Sequence, residues 1–354
     1  MQSGTPNHLV GEDLTDRERR VLDAVVRLYV DTAEPAGSRT VARAYDLGVS
    51  SATVRNTMSD LEEKGYLFHP HTSAGRIPTD RAYRYFVDRL IQPAALSLRD
   101  QSLLVNALED ESSSSAMERL VRRAARALSV LSMELGVAVA PRLDDAVLEG
   151  LDLIKVSSDR VLLVATIRSG LVRTVYMDLP GDVPSDALDN VAQVLTERLV
   201  GLTLREIRVT LPQRLRDTAA ADATATELLN IFMQSGVELF EAPDELHLGQ
   251  ASVLATQPEF ATGEQMMELI QLTERPDLLA GVLGGREHTG GIQITIGGEH
   301  QAEELTGFTL VTSEYDVDGL KGVIGVIGPT RMPYEKVIAI VDHTSSLLSA
   351  ILRS

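Results

Sequence analysis

The sequence predicts a multidomain α+β fold, and three observations carry that prediction. At 354 residues the chain is too long for one ordinary hydrophobic core, and length alone suggests two or three domains. Its first quarter spaces apolar residues at helical intervals between turn signals. Beyond it, three β-rich runs joined by short turns have the spacing of an antiparallel meander, and further strands resume after a helical stretch. Hydrophobic residues make up 44% of the chain, enough to fill more than one core.

Residues 1–13 read as a disordered lead, without the apolar stretch behind a basic start that a signal peptide needs. Thr15 and Glu18 form a Thr-x-x-Glu capping box, opening a helix with Val21, Leu22, Val25, Leu28 and Tyr29 on one side. Glu34-Pro35-Ala36-Gly37 ends it. Ser38 starts a short second helix with Val41, Ala42 and Tyr45, and Leu47-Gly48-Val49-Ser50 is a tight turn in which Gly48 is free to take a positive φ. A third helix is expected over residues 51–64, with Gly65 in the C′ position. Residues 66–68 read as a strand, 69–75 as a loop and 76–77 as a returning strand. Thr79 then caps a helix bearing Tyr83, Phe86, Val87 and Leu90.

In the body, Ser115 and Glu118 form a second capping box before a helix over residues 117–131. Strands are expected at 147–156, 160–168 and 171–179, and a helix at 184–200. Residues 203–260 differ in texture: they are Ala-rich from 218 to 226 and hold an isolated His247-Leu248-Gly249-Gln250. A helix near 265–283, strands at 292–296, 306–315 and 323–327, and an amphipathic helix at 334–352 follow. A strand set interrupted by a differently composed helical stretch and then resumed points to one domain inserted in another.

Charge is divided unevenly. The whole chain has 33 basic and 51 acidic residues, a net of −18, which taken alone argues against nucleic acid because phosphate neutralisation needs excess Lys and Arg. Residues 14–90, however, hold 12 Lys+Arg against 11 Asp+Glu, whereas residues 91–354 hold 21 against 38. The acidity therefore belongs to the body and says little about the first quarter. Only 4 of the 33 basic residues are Lys, a composition that hints at a high-salt cytoplasm. The absence of Cys excludes disulfides, thiolate metal sites and thiol nucleophiles, and suits a reducing compartment. No apolar run reaches the roughly 18 residues of a membrane span, so a cytoplasmic location is expected. The sequence has no Gly-Lys-Ser/Thr phosphate loop, no Gly-x-Ser-x-Gly elbow and no His-Glu-x-x-His, and we expect neither an enzyme nor a cofactor. His69 and His71 form a His-x-His pair with no third ligand nearby in sequence, and no metal site is assigned.

The third helix carries the functional signal. At about 100° per residue Val54, Met58 and Leu61 form a buried stripe, while Ala52, Asn56, Ser59 and Glu63 occupy the opposite arc, flanked by Thr53 and Arg55. Recognition helices present Arg to guanine and Asn to adenine from their N-terminal turns. Ser51, Thr53, Arg55 and Asn56 are thus the expected base contacts. Ser50 and Thr57, with His71, Thr72, Ser73 and Arg76 of the loop and ribbon, are expected on the phosphate backbone, reinforced by Arg81 and Arg84. The aromatics between Tyr66 and Phe86 read mostly as packing beneath the ribbon.

The run Ser50-Ser51-Ala52-Thr53-Val54-Arg55-Asn56-Thr57-Met58, the run Leu61-Glu62-Glu63-Lys64-Gly65, and HTSAGRIPTDRAYRYFVDRL over residues 71–90 together resemble the DNA-binding domain of the HrcA family of heat-inducible transcription repressors. So does GVIGVIGPTRMPYEKVIAIVDHTSSLLS over 322–349, and Gly249-Gln250 ahead of Phe260 in the middle of the chain. The resemblance spans about residues 14–352. It implies a winged helix-turn-helix over 14–92, a GAF-like domain over 100–202 and 262–354, and an inserted dimerising domain over 203–261. It further implies a homodimer on a double-stranded inverted-repeat (CIRCE-like) operator of chaperone genes, with activity dependent on a GroEL-type chaperonin. The alternative is a metabolite-responsive regulator whose GAF-like domain binds a small ligand. Arg331-Met332-Pro333-Tyr334-Glu335 is left without a derived role. An Arg331–Glu335 pair at helical spacing and a contact to the helix-turn-helix unit or to a partner subunit are both open.

Overall fold

The computed structural model describes residues 14–71, 74–92, 94–108, 116–141, 143–168, 172–179, 181–216, 223–235, 246–284, 290–317 and 319–352. The proposed disordered lead and Ser115 of the second capping box lie outside them.

Three helices form the N-terminal unit: α1 (Asp16–Thr32), α2 (Ser38–Ala44) and α3 (Ser51–Glu63). The first capping box is present in full. Glu18 N donates to Thr15 Oγ1 at 3.3 Å, and Thr15 N donates to the Glu18 carboxylate at 2.8 Å. Glu18 also pairs with Lys64 Nζ at 2.7 Å, tying the start of α1 to the end of α3. Gly48 and Gly65 take φ of +66° and +76°, so the turn and the helix stop fall where their glycines predict. The ribbon is short. β1 (Leu67–Phe68) and β2 (Ile77–Pro78) share two residue pairs, and α4 (Asp80–Tyr85) runs on into a wider turn, Phe86–Leu90. Tyr66, Tyr83 and Phe86 are buried beneath it, although Phe68 is exposed.

The body is built on a five-stranded antiparallel sheet in the order β7-β3-β10-β9-β8. Its strands are β3 (Leu135–Val139), β7 (Leu246–Leu248), β8 (Ile292–Ile296), β9 (Phe308–Val317) and β10 (Leu320–Pro329). Helices α6 (Ala116–Ser132) and α12 (Tyr334–Leu352) cover one face, and α5 (Leu98–Leu108) packs on α6. The short turns around Leu254 and Phe260, with α10 (Gly263–Thr273) and α11 (Pro276–Gly284), cover the other. Coverage on both faces explains why β3 and most of β10 are buried at every position rather than at alternate ones. The expected helix near 265–283 is broken at Arg275-Pro276 because proline cannot donate the helical hydrogen bond.

The strands expected at 147–179 do not join that sheet. β4 (Leu148–Lys155), β5 (Arg160–Ile167) and β6 (Val172–Asp178) form a separate antiparallel meander. One face of it packs on α7 (Ser185–Leu199), α8 (Leu204–Arg216) and α9 (Ala223–Ser235) through a core of its own that includes Leu163, Ile167, Val191, Leu195 and Phe232. Described residues between 143 and 235 thus share a core apart from the five-stranded sheet, whereas residues 246–261, within the stretch expected as the insert, pack with the body. There β7 extends the sheet beside β3, and Leu254 and Phe260 fill the core. A period-two pattern marks a half-buried strand but does not say which sheet it enters.

Candidate nucleic-acid interface

Helix α3 is held by its buried face. Val54, Met58 and Leu61 sit in the core shared with Val21, Leu22 and Val25 of α1 and Val41 of α2. Its N-cap is Ser50, whose Oγ accepts from Thr53 N at 3.2 Å. This anchoring turns the other arc to solvent. Ser51, Ala52, Arg55 and Asn56 are exposed and Thr53 is half-buried. Among the described residues, Arg55 and Asn56 form no side-chain hydrogen bond within the chain, which leaves an unengaged guanidinium and amide side by side in the first turns of a capped helix.

Four of the expected backbone contacts are placed differently. Thr57 is buried at 4% exposure, and its hydroxyl donates to Thr53 O at 3.1 Å. Arg76 is also buried, at 8% exposure. Its Nε donates to Glu62 at 3.0 Å and its Nη2 to Ser59 Oγ at 2.7 Å. Arg81 remains exposed but closes the end of α3 by donating to Lys64 O at 2.8 Å, and its guanidinium lies 4.6 Å over the Tyr66 ring. Arg84 faces the body, meeting Glu299 at 2.5 and 2.8 Å and Ile294 O at 2.7 Å. Burial opposes ionisation of Glu299, but Arg84 and the Ile296 amide outweigh it and hold this carboxyl below its ordinary range. His71 is exposed, while Thr72 and Ser73 lie outside the described residues. Two cations absent from the sequence-based set, Arg39 and Arg43, are exposed on α2 beside α3. Their signal was the i, i+4 spacing of two arginines on a helix otherwise read only for its apolar residues.

The same geometry explains residues 331–335. Arg331 donates from Nη1 to Val30 O at 2.5 Å and grips Glu259 through Nε and, at 2.9 Å, Nη2. Glu335 accepts from Arg27 at 2.8 Å rather than pairing with Arg331. Asp80 accepts from Gly298 N at 2.8 Å, and the Tyr83 and Tyr334 rings lie 5.8 Å apart. A polar clamp around a shared aromatic contact thus fastens the N-terminal unit to the body, and one apolar core runs from α1 through α6 to α12.

Comparison with known proteins places the chain. Residues 118–338 match the family model described as the HrcA protein C terminal domain. The chain is 38% identical to the heat-inducible transcription repressor HrcA of Chlorobium phaeobacteroides (strain BS1), over 95% of this chain and 98% of that one. It is 35% identical to the repressor of the same name from Pelotomaculum thermopropionicum, over 96% and 97%. A hypothetical protein of known crystal structure, 22% identical, shares the fold with a TM-score of 0.63 over 96% of this chain and 99% of that one. These relatives define the class as a transcription repressor. The chain belongs to the HrcA family of heat-inducible transcription repressors.

Proposed function

We propose that this heat-shock transcription repressor binds an inverted-repeat, CIRCE-like operator as a homodimer, each N-terminal unit acting as a winged helix with α3 in a major groove. The observation that carries the reading is the exposed Arg55–Asn56 pair on the outward arc of a capped, firmly packed helix. Arg55 and Asn56 read base edges, assisted by Ser51 and Thr53. Ser50, His71, Arg39, Arg43 and the N-terminus of α3 meet phosphates.

The five-stranded body acts as a GAF-like scaffold, and the inserted unit supplies the dimer contact. In support, the face of its meander turned away from α7–α9 exposes Ile154, Val172 and Tyr176, with half-buried Leu162 and Val164 between them. An apolar sheet face of this kind fits a second copy of itself. The protein works in the cytoplasm, on the nucleoid when operator-bound, and heat or loss of GroEL-type chaperonin support releases it. Among the described residues no helix is long and apolar enough to cross a membrane.

Gel-shift titration of an inverted-repeat duplex against a scrambled one, before and after heating and with or without chaperonin, tests the proposal. We expect selective binding by the dimer, loss of binding after heating, and its recovery with chaperonin. Equal binding to both duplexes would contradict sequence-specific recognition. Equal operator retention with and without chaperonin after heating would contradict the release mechanism.

A further inference from the structure

The two legs of the ribbon converge on one carboxylate. Glu62 stands in the last turn of α3, with Oε1 2.6 Å from Nδ1 of His69, the residue after β1, and Oε2 3.0 Å from Nε of Arg76, the residue before β2. Arg76 adds its Nη2 bond to Ser59, one turn earlier on α3, at 2.7 Å. Its backbone exchanges two further bonds with Ala36, of 2.8 and 3.0 Å. Gly75 permits this approach, since a Cβ there would stand 2.5 Å from Pro35 O and from Ala36. A ladder of two residue pairs is too short to fix the direction of a ribbon by itself. The direction is set from α3, through a guanidinium whose side chain is only 10% exposed.

We propose that Glu62 is a positioning residue for DNA recognition: by holding His69 and Arg76 together against the end of α3, it fixes the angle between reading helix and ribbon so that both engage one operator half-site. This rests on the DNA-reading function proposed above. Glu62 itself touches no base or phosphate. It acts through the two legs that it joins, and it also turns the Arg76 guanidinium inward, away from indiscriminate contact with phosphates.

The test uses the full-length protein carrying Glu62→Ala, Glu62→Gln or Arg76→Lys, with affinities measured for operator and scrambled duplexes at one salt concentration, hydroxyl-radical footprints, and melting midpoints. We expect Glu62→Ala to lower the ratio of operator to scrambled affinity by about tenfold, one good contact's worth of discrimination. It should also erase the ribbon's protection flanking the half-site while leaving the major-groove block of α3. Glu62→Gln, which keeps an acceptor for Arg76, should fall between Ala and wild type. Arg76→Lys keeps the charge but loses the fork, and should lower the ratio even if Glu62→Ala does not fold. A role in stability alone lowers the active fraction equally for both duplexes. An unchanged ratio, at any absolute affinity, would therefore overturn the proposal. Failure of the DNA-reading function would appear separately, as equal binding of the two duplexes by the unmutated protein.

Discussion

Arg55 and Glu134 show how differently two ionisable side chains serve this molecule. Arg55 stands in water on the arc of α3 that its packing turns outward. Replacing it with Ala should cost about 1–3 kcal/mol of operator affinity and relax one operator position, measured by gel shift on single-base operator variants. Glu134 is 2% exposed beneath the clamp, taking a hydrogen bond from Gln257 Nε2 at 3.1 Å. Burial pushes its carboxyl up to about 8, while Gln257 and the charge of Arg331 pull the other way. The folded protein then keeps a proton that an unfolded Glu, titrating near 4.5, has lost. Stability should fall as pH rises from about 4.5 towards about 8, by at most about 1.4 kcal/mol per unit, and level off above. Glu134→Gln should flatten the melting midpoint between pH 6 and pH 8, and an equal slope in both proteins would contradict this placement of the proton. The outward arc of α3 was legible because helical periodicity fixes it. The engagement of Thr57, Arg76 and Arg84 was not, because their partners lie on backbone or on segments up to 215 residues away.

Elements were legible where local chemistry sets them. The capping box of α1, the Gly48 turn, the Gly65 stop and the Thr79 cap all act within a few residues, and each lies where its side chains predict. β3 and α5 were missed, the first because five consecutive buried residues in LGVAV carry no alternation to read. Gly249-Gln250, isolated in the sequence, gains its meaning only in the fold. Ser129 Oγ on α6 accepts from Gly136 N at 2.7 Å and Gln250 N at 3.0 Å, and a Cβ on Gly249 would stand 2.1 Å from that oxygen. Helix α6 is thereby bonded to β3 and to the chain leaving β7. Ser129→Ala leaves these two amides without their acceptor and should destabilise the body by about 1–3 kcal/mol, read by denaturant unfolding. A change of a few tenths would show that the close packing alone suffices.

At the scale of the whole molecule, the reading unit is fastened to an acidic body. Residues 14–90 are nearly neutral and residues 91–354 carry a net of −17, so the body repels DNA and, in the proposed dimer, affinity depends on local contacts and on joining two N-terminal units. The clamp of Arg27, Arg84 and Arg331 fixes the N-terminal unit relative to the body, and so, in the proposed dimer, relative to the subunit contact. Arg84→Ala combined with Arg331→Ala should leave the dimer intact but let it accept inverted repeats with altered spacers, as measured by gel shift on a spacer series. Unchanged spacer selectivity would mean that the shared apolar core is enough to orient the reader. Tyr176→Asp puts a charge on the exposed face of the inserted meander. It should yield a monomer by light scattering and reduce operator affinity by the avidity of the second reader, about a hundredfold or more. The division of charge was plain in the sequence, whereas the role of residues 331–335 required the body and the reader in contact. The most direct test is footprinting on the chromosome, before and just after heat shock, in cells carrying the wild-type or Arg55→Ala chain. Protected inverted repeats are expected upstream of chaperone genes at normal temperature, lost within minutes of heating and weakened by Arg55→Ala. Protection that persists through heat shock, or that is indifferent to Arg55, would contradict the proposed function.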